Sequence, residues 1–172
     1  TIAAVRAASP ATRVEVLVPD CKGSAPALDV LFAARPDVLN HNVETVARLQ
    51  RAVRPSASYA RSLSVLARAV DAGLTAKSGI VAGMGESFDE VCQTLADLAA
   101  VGTSIVTIGQ YLRPTSHHLP VERWWTPDEF GAWKRIGEEL GIGHVESSPL
   151  TRSSYHANEA HAANAADPVG VG

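Results

Sequence analysis

The feature that most restricts the fold of this chain is an alternation of short apolar strands with amphipathic helical segments. The strands are predicted at positions 14–18, 37–40, 79–82, 104–108 and 144–147. Such alternation is typical of right-handed βα units that form a parallel sheet. Four or five units are too few for a closed eight-stranded barrel, so the pattern predicts part of a partial barrel or an open sheet.

The intervening segments carry recognisable helix boundaries. Ser87 and Glu90 have the spacing of a capping box, and so have Thr126 and Glu129. Helices are predicted at positions 2–9, 24–34, 58–72, 87–101 and 126–141, and a further helix follows His41 and ends near position 51. The predicted helices alternate with the strands and support the βα assignment.

Composition limits the classes of function. Of the 172 residues 46% are hydrophobic and the net charge is −3, which predicts one globular domain and gives no electrostatic case for nucleic acid or an anionic membrane as a partner. No apolar run approaches the roughly 18 residues of a membrane helix, and a cytoplasmic protein is expected. The two cysteines, Cys21 and Cys92, form no CxxC pattern and are interpreted as small packing residues.

Polar side chains follow several of the predicted strands. Because the carboxyl ends of parallel strands meet at one edge of a sheet, these side chains predict a shared ligand site there. The clusters are Asp20 with Lys22, residues 40–44, Lys77 with Glu86, and Gln110 with Tyr111.

The stretch 75–86 is the most informative of these strand ends. Gly83 and Gly85 precede a predicted helix, and glycines there let the backbone approach a ligand while free amides favour a polar or anionic group. The alternative interpretation is a tight βα turn that needs glycine for its own backbone.

Two further groups of residues allow more than one interpretation. Asn40, His41, Asn42 and Glu44 carry groups that suit sugar hydroxyls, although Asn42 alone is explained as the cap of the following helix. Lys77 either extends to solvent or pairs with a ligand carboxylate.

Other candidate residues are weaker. His117 and His118 are adjacent on a loop without a third ligand nearby, which is poor support for a metal site. The three tryptophans are interpreted as packing residues.

With these motifs in view, the chain resembles the C-terminal part of the lipoyl synthase family of radical S-adenosylmethionine enzymes. The resemblance covers nearly all of residues 10–157 in the family's order and spacing. It is carried by VEVLVPDCKG (14–23), VLNHNVETV (38–46), VRPSASYARSL (53–63), AKSGIVAGMGE (76–86), TIGQYLRPTSHHLP (107–120) and SPLTRSSYHA (148–157).

The resemblance implies a fold and an activity. Residues 1–147 are expected to form the C-terminal portion of a partial (βα)6 TIM-type barrel that lacks its first strand or strands. Residues 148–172 are expected to form an extension with the RSSY motif and a frayed tail. The family inserts two sulfurs at C6 and C8 of protein-bound octanoyllysine, so the implied enzyme is a sulfurtransferase.

The same resemblance implies cofactors and partners. One 4Fe–4S cluster cleaves S-adenosylmethionine to the radical that removes hydrogen, and a second 4Fe–4S cluster supplies the sulfur. The implied partners are octanoylated lipoyl domains of 2-oxoacid dehydrogenase complexes or the glycine cleavage H protein, together with an electron donor such as ferredoxin or flavodoxin.

Site residues are implied position by position. Residues 79–86 match a GxIxGxxE element, with Val81 in place of the isoleucine. The implied role of this element is to pack against adenine. The strand end at 40–44 handles ribose and methionine, and the backbone of 110–112 meets the adenine edge. The implied cofactor-binding residues are Asn40, Asn42, Glu44, Lys77, Gly79, Gly83, Glu86, Gln110, Tyr111 and Leu112, and the implied metal ligand is Ser154.

The chain also departs from the family pattern. The CxxxCxxC motif and three further cluster cysteines are absent, and Cys21 stands where the family usually has an aromatic residue. We therefore expect a truncated fragment that binds no complete cluster and is inactive alone. The alternatives are a non-catalytic or degenerate half-barrel that needs a partner, and another βα-barrel enzyme that binds a phosphorylated ligand at 83–87.

Overall fold

The computed structural model describes residues 1–154 and contains one parallel sheet. Its five strands lie in the order in which they occur in the chain, and each is hydrogen-bonded to the next in parallel. The strands are β1 (Glu15–Leu17), β2 (Val38–Asn40), β3 (Thr75–Ala82), β4 (Ile105–Gln110) and β5 (His144–Ser147). The predicted partial barrel-like α/β architecture is confirmed, although β3 begins four residues earlier than the sequence suggested.

The helices connect these strands in the predicted order. They are α1 (Ile2–Ala8), α2 (Ala25–Ala33), α3 (Gln50–Val53), α4 (Tyr59–Asp71), α5 (Phe88–Ala100) and α6 (Pro127–Glu139). Both predicted capping boxes are present, at the start of α5 and at the start of α6. Within residues 1–154, no helix has the length and apolar character needed to cross a bilayer.

The main core lies between the sheet and the helices that cover one of its faces. Alternate residues of β3, namely Ala76, Ile80 and Ala82, join this core because successive side chains of a strand point to opposite faces. Trp133 packs between Phe88 and Trp125, with ring centroids 5.3 Å and 4.7 Å away. The packing interpretation is right for Trp125 and Trp133, whereas Trp124 is 65% exposed.

The helix expected after His41 begins later than predicted. Its first residues are a 3-10 turn, Ala47–Leu49, which runs into α3. Before that turn, the Glu44 N–H donates to the carbonyl of Gly79 and the Glu44 carbonyl accepts from the N–H of Val81. Since β3 extends beyond the end of β2, its free edge holds the chain at Glu44 in a bridge, and Asn42 is not a helix cap.

Candidate functional site

A cavity of about 310 Å³ lies near the carboxyl ends of the strands, where the polar clusters were predicted to meet. A second cavity of about 250 Å³ adjoins it and shares Leu17, Asn42 and Glu44. The first cavity is lined by Leu17, Asn42, Glu44, Gly79, Ile80, Val81, Thr107, Gly109, Thr151, Arg152 and Ser153.

The floor of this cavity depends on Gly79. A Cβ atom there would lie 2.8 Å from Asn42 Oδ1 and 3.0 Å from Thr107 Oγ1, so any larger residue would displace both side chains. Asn42 Nδ2 donates to Glu44 Oε1 at 3.2 Å, which leaves the buried Asn42 Oδ1 without a protein partner. The cavity wall therefore presents an amide oxygen and a carboxylate, which are acceptors for hydroxyl or ammonium donors.

Asn40 and Lys77 lie on the cavity side of the sheet but do not line the cavity. The Lys77 ammonium is 2.9 Å and 3.0 Å from the two carboxylate oxygens of Glu15, and the Lys77 side chain is only 1% exposed. Asn40 Nδ2 donates to Glu15 Oε1 at 3.3 Å, and Asn40 Oδ1 has no protein partner. Lys77 thus does not extend to solvent, because a carboxylate of the chain itself neutralises it.

His41 ties two strand ends to a helix. Its Nδ1–H donates to the carbonyl of Val18 at 2.9 Å, which leaves Nε2 to accept from the hydroxyl of Ser62 at 3.0 Å. Burial lowers the pKa of His41, and the nearby Arg54 guanidinium lowers it further. Both ring nitrogens are occupied by the protein, so His41 orders the strand ends without reaching a ligand.

The Glu86 and Gln110 side chains join the loops that follow β3 and β4. The Glu86 carboxylate accepts from the N–H of Gly83, from the N–H of Met84 at 3.0 Å and from Trp125 Nε1 at 2.8 Å. Gln110 accepts from the Trp125 N–H at 3.0 Å and donates to the carbonyls of its two loop neighbours, Tyr111 and Arg123. These predicted binding residues shape the site through the loops, since their side chains are already engaged.

The turn at 83–90 offers few free amides to an anion. Besides the two amides bound by Glu86, the Ser87 N–H donates to the Glu90 carboxylate and the Glu90 N–H donates to the Ser87 hydroxyl. Arg48 binds Glu90 at 2.7 Å, and this contact together with the Ser87 amide lowers the pKa of Glu90 to about 2. An anionic ligand would therefore meet carboxylates in this turn.

The predicted adenine edge at 110–112 is only partly available. The Tyr111 N–H donates to the carbonyl of Ala82 at 2.7 Å, and the Tyr111 hydroxyl donates to the carbonyl of Leu119 at 2.9 Å. Among the described residues, the backbone N–H and carbonyl of Leu112 have no partner, and the residue is 50% exposed. Leu112 is thus the residue of this stretch whose main chain remains free for a ligand.

The segment that follows β5 forms one wall of the cavity. Thr151, Arg152 and Ser153 line it opposite Asn42, and Ser154 comes next in the chain with its side chain exposed. The rest of the RSSY motif and the predicted frayed tail lie outside the described residues. Sequence patterns did not predict Thr107, Gly109 or Thr151 as cavity residues. Strand alternation was the signal for the first two, since Thr107 is paired with Gly79 and Gly109 lies on the same face of β4.

The remaining candidate ligands are dispersed. Within residues 1–154, no three His, Cys, Asp or Glu side chains are close enough to hold a metal ion. Cys92 packs against the core from α5, and burial raises the pKa of its thiol, while Cys21 lies in a 3-10 turn after β1. His118 is held by the Thr115 hydroxyl at 2.9 Å.

Comparison with known families decides the assignment of the fold. The sequence profile of the Radical SAM superfamily matches residues 2–98. The chain belongs to this superfamily. Membership implies S-adenosylmethionine and a 4Fe–4S cluster as cofactors of the complete enzyme.

Relatives with curated descriptions are named lipoyl synthase. That of Rubrobacter xylanophilus is 53% identical over 161 residues, covering 92% of this chain and 50% of the relative. That of Xylella fastidiosa is 53% identical over 162 residues, covering 91% and 43%. That of Pelodictyon phaeoclathratiforme is 50% identical over 158 residues, covering 91% and 54%. The chain therefore spans about half the length of the relatives it matches.

Solved structures with the same fold are distant in sequence. A domain of the pyruvate-formate lyase-activating enzyme from Bacteroides vulgatus has a TM-score of 0.60 at 11% identity, covering 86% of this radical SAM chain and 89% of that domain. SuiB of Streptococcus suis has a TM-score of 0.63 at 8% identity, covering 87% and 35%. At such identities the likeness shows the fold alone.

The described residues fit one of the implied cofactors and not the other. Asn42 Oδ1 is an unpartnered acceptor beside the Gly79 floor, and the cavity also has apolar walls, which suits a nucleoside such as S-adenosylmethionine. A 4Fe–4S cluster normally needs thiolates, and the two cysteines lie in different elements away from the cavity lining. Residues 1–154 therefore do not by themselves supply a cluster site.

Proposed function

We propose that this chain is the S-adenosylmethionine-binding part of a lipoyl synthase, the enzyme that inserts two sulfurs at C6 and C8 of protein-bound octanoyllysine. The observation that carries the proposal is the position of residues 151–153. The segment that includes the start of the RSSY motif lies against the same cavity as Asn42, Glu44 and Gly79. Identities of 50–53% to three lipoyl synthases over nine tenths of the chain support the same assignment.

Each side of the cavity has a role in holding S-adenosylmethionine. Asn42 and Glu44 accept hydrogen bonds from the ribose hydroxyls and the methionine ammonium group, and Gly79 leaves room for the nucleoside. The free main chain of Leu112 meets the adenine edge. When bound, S-adenosylmethionine supplies the radical chemistry that removes hydrogen from the octanoyl chain.

Two of the proposed residues act from below the cavity. Asn40, whose buried Oδ1 has no protein partner, is paired in register with the cavity residue Leu17, and Lys77 holds Glu15 in place. Gly83, Glu86, Gln110 and Tyr111 fix the loops around the adenine edge. The apolar side chains of Leu17 and Val81 line the cavity beside these polar groups.

Ser154 is the proposed ligand of the auxiliary cluster. A serine oxygen is a harder ligand than a thiolate and is less suited to iron–sulfur iron, so it is released readily when a cluster is dismantled. The cysteines that complete both clusters must come from outside residues 1–154. The isolated chain is therefore expected to hold no complete cluster and to be inactive.

The proposed partners follow from the proposed reaction. The octanoyl group is carried by lipoyl domains of 2-oxoacid dehydrogenase complexes or by the glycine cleavage H protein, and a ferredoxin or flavodoxin supplies electrons. A cytoplasmic location remains a prediction.

Binding of S-adenosylmethionine to the isolated chain tests the first part of the proposal. Equilibrium dialysis should show saturable binding that weakens about tenfold in Glu44→Gln, which loses a charge-assisted hydrogen bond. Asp29→Asn on α2 is the control, because its carboxylate pairs with Arg68 on α4. No binding by the unmodified chain contradicts the assignment of the cavity.

Reconstitution tests the part that concerns clusters. Anaerobic treatment with iron and sulfide should leave the isolated chain without a stoichiometric 4Fe–4S cluster, and a full cluster contradicts the proposal. Addition of the part of the Rubrobacter xylanophilus relative that this chain does not match should restore formation of lipoyl product on an octanoylated lipoyl domain, as measured by mass spectrometry. Ser154→Ala should abolish that product, while Ser116→Ala on the 111–126 loop should not.

A non-catalytic half-barrel is the second candidate. The observation in its favour is the open edge at β1, where Leu17 is 63% exposed, and exposed edges invite pairing with another chain. A chain that forms oligomers and does not bind S-adenosylmethionine supports that reading. A phosphorylated ligand at 83–87 is disfavoured by the carboxylates of Glu86 and Glu90 in that turn.

A further inference from the structure

Gly109 of β4 lies directly under the segment that follows β5. A Cβ atom on Gly109 would be 2.1 Å from the carbonyl oxygen of Thr151 and 3.2 Å from its carbonyl carbon. Both are backbone atoms, so they cannot rotate away as the end of a side chain would. Gly109 is absent from the glycines with positive φ, so its conformation is open to alanine and space alone requires the glycine.

The segment above Gly109 is a compact turn anchored to β4. The Ser148 N–H donates to the carbonyl of Ile108 at 3.2 Å, and the Gln110 N–H donates to the carbonyl of Pro149 at 3.3 Å. Two contacts close the turn, namely the Thr151 N–H to the Ser148 carbonyl at 3.1 Å and their hydroxyls at 2.9 Å. Thr151 is only 1% exposed, although the neighbouring Leu150 points to solvent.

This turn sets where the cavity wall lies. Arg152 and Ser153 follow Thr151 directly and line the cavity, and Arg152 Nη1 returns to the Thr151 carbonyl at 2.6 Å. A methyl group on Gly109 would force the Thr151 carbonyl to move by roughly 1 Å, because contacts under 3.0 Å are not tolerated. The wall and the residues after it would move with the turn.

We propose that Gly109 is a positioning residue, the seat on which the 148–151 turn rests, and that this seat holds Arg152–Ser154 against the cofactor cavity. The inference rests on the proposed function for the role of that segment. The contact between Gly109 and Thr151 stands without it. The distance between the Gly79 floor of the cavity and residues 152–154 then depends on β4 as well as on the segment after β5.

Gly109→Ala in the full 172-residue chain tests the seat, with Gly131→Ala as the matched control. A Cβ on Gly131 in α6 would meet only Arg135 Nη1, at 3.7 Å. Hydrogen exchange at residues 148–154 should accelerate by about tenfold or more in Gly109→Ala, while amides of β3 keep their protection. Gly131→Ala should leave both regions unchanged.

The affinity for S-adenosylmethionine separates positioning from a loss of stability. Measured well below the melting temperature, it should fall by about tenfold in Gly109→Ala and stay unchanged in Gly131→Ala. Ser148→Ala is the second variant; it removes one hydroxyl of the turn, leaves the strand untouched and should act in the same direction if Gly109→Ala does not fold.

The outcomes are distinguishable. Hydrogen exchange at 148–154 that is as slow in Gly109→Ala as in the unmodified chain contradicts the claim that Gly109 seats the turn. Faster exchange with unchanged cofactor affinity, in either variant, overturns the positioning role. An unmodified chain that does not bind S-adenosylmethionine contradicts the proposed function, and the exchange comparison still decides whether Gly109 seats the turn.

Discussion

The two faces of the sheet differ in what they contain. The face toward the helices carries two apolar clusters, and the larger one includes Leu95, Trp133 and Val145, all fully buried. Among the described residues, the opposite face has one small buried apolar cluster, Val38 with Ile105, and otherwise mixes polar residues with partly exposed apolar ones. The helix side therefore supplies most of the stability, since apolar burial is the dominant favourable term, while the other side carries the polar groups that line the cavity.

Trp133→Ala should give the largest loss of stability, because it disrupts the core on the helix side of the sheet. Loss of a fully buried indole that stacks on Phe88 is expected to destabilise the chain by about 3–5 kcal/mol. Chemical denaturation monitored by circular dichroism measures the change. Trp124→Ala is the control, because that indole is mostly exposed, and an equal loss in both variants contradicts the asymmetry.

Lys77→Met should give a smaller loss of stability and tests the ion pair on the opposite face of the sheet. Removing the ammonium leaves the half-buried Glu15 carboxylate without its ion partner, at a cost of about 1–3 kcal/mol. The double variant Lys77→Met with Glu15→Leu should recover most of this loss, because an apolar pair replaces a buried ion pair at little cost. A double variant less stable than Lys77→Met contradicts this view.

His41 should make stability depend on pH at the cavity edge. Its folded-state pKa lies below the ordinary value of 6.5, so the unfolded chain takes up a proton first as the pH falls. Stability should therefore be complete above about pH 6.5 and decline below it, by up to about 1.4 kcal/mol per pH unit for one proton. His41→Gln should flatten this decline in part. His144, whose pKa burial also lowers, accounts for a further part, and Glu90 adds to the decline below about pH 4.5.

The capping boxes should give the smallest effects. Ser87→Ala and Thr126→Ala each remove one side-chain acceptor at the start of a helix, at a cost of about 1 kcal/mol. Both variants should also weaken binding of S-adenosylmethionine, because α5 starts next to Glu86 and α6 starts next to Trp125, which donates to Glu86 and Gln110. Unchanged binding in both variants contradicts a link between these loops and the cavity.

Local patterns allowed much of the fold to be predicted. Short apolar runs indicated the place of each strand within residues 1–154, although the first four residues of β3 were missed. Both capping boxes were readable because their residues are three positions apart. The carboxyl edge was predicted as a site because parallel strands end together. Each of these signals is carried by residues that are close together in the sequence.

Contacts between distant residues could not be predicted in the same way. Lys77 pairs with Glu15, which lies 62 positions away on another strand. The sequence therefore suggested only solvent or a ligand carboxylate as the partner of Lys77. The Glu86 carboxylate turns onto Trp125 from a different loop. The bridge at Glu44 depends on β3 being longer than β2, and this bridge stands where a helix starting at Asn42 was expected.

Glu44 has a backbone φ of 66°, in the left-handed region that disfavours side chains with a Cβ. Glycine would adopt this conformation with less strain, by about 1 kcal/mol. Selection for folding alone would favour glycine at position 44, whereas selection for ligand binding would retain Glu44. A deep mutational scan should therefore favour glycine at position 44 under selection for stability, and glutamate under selection for ligand binding.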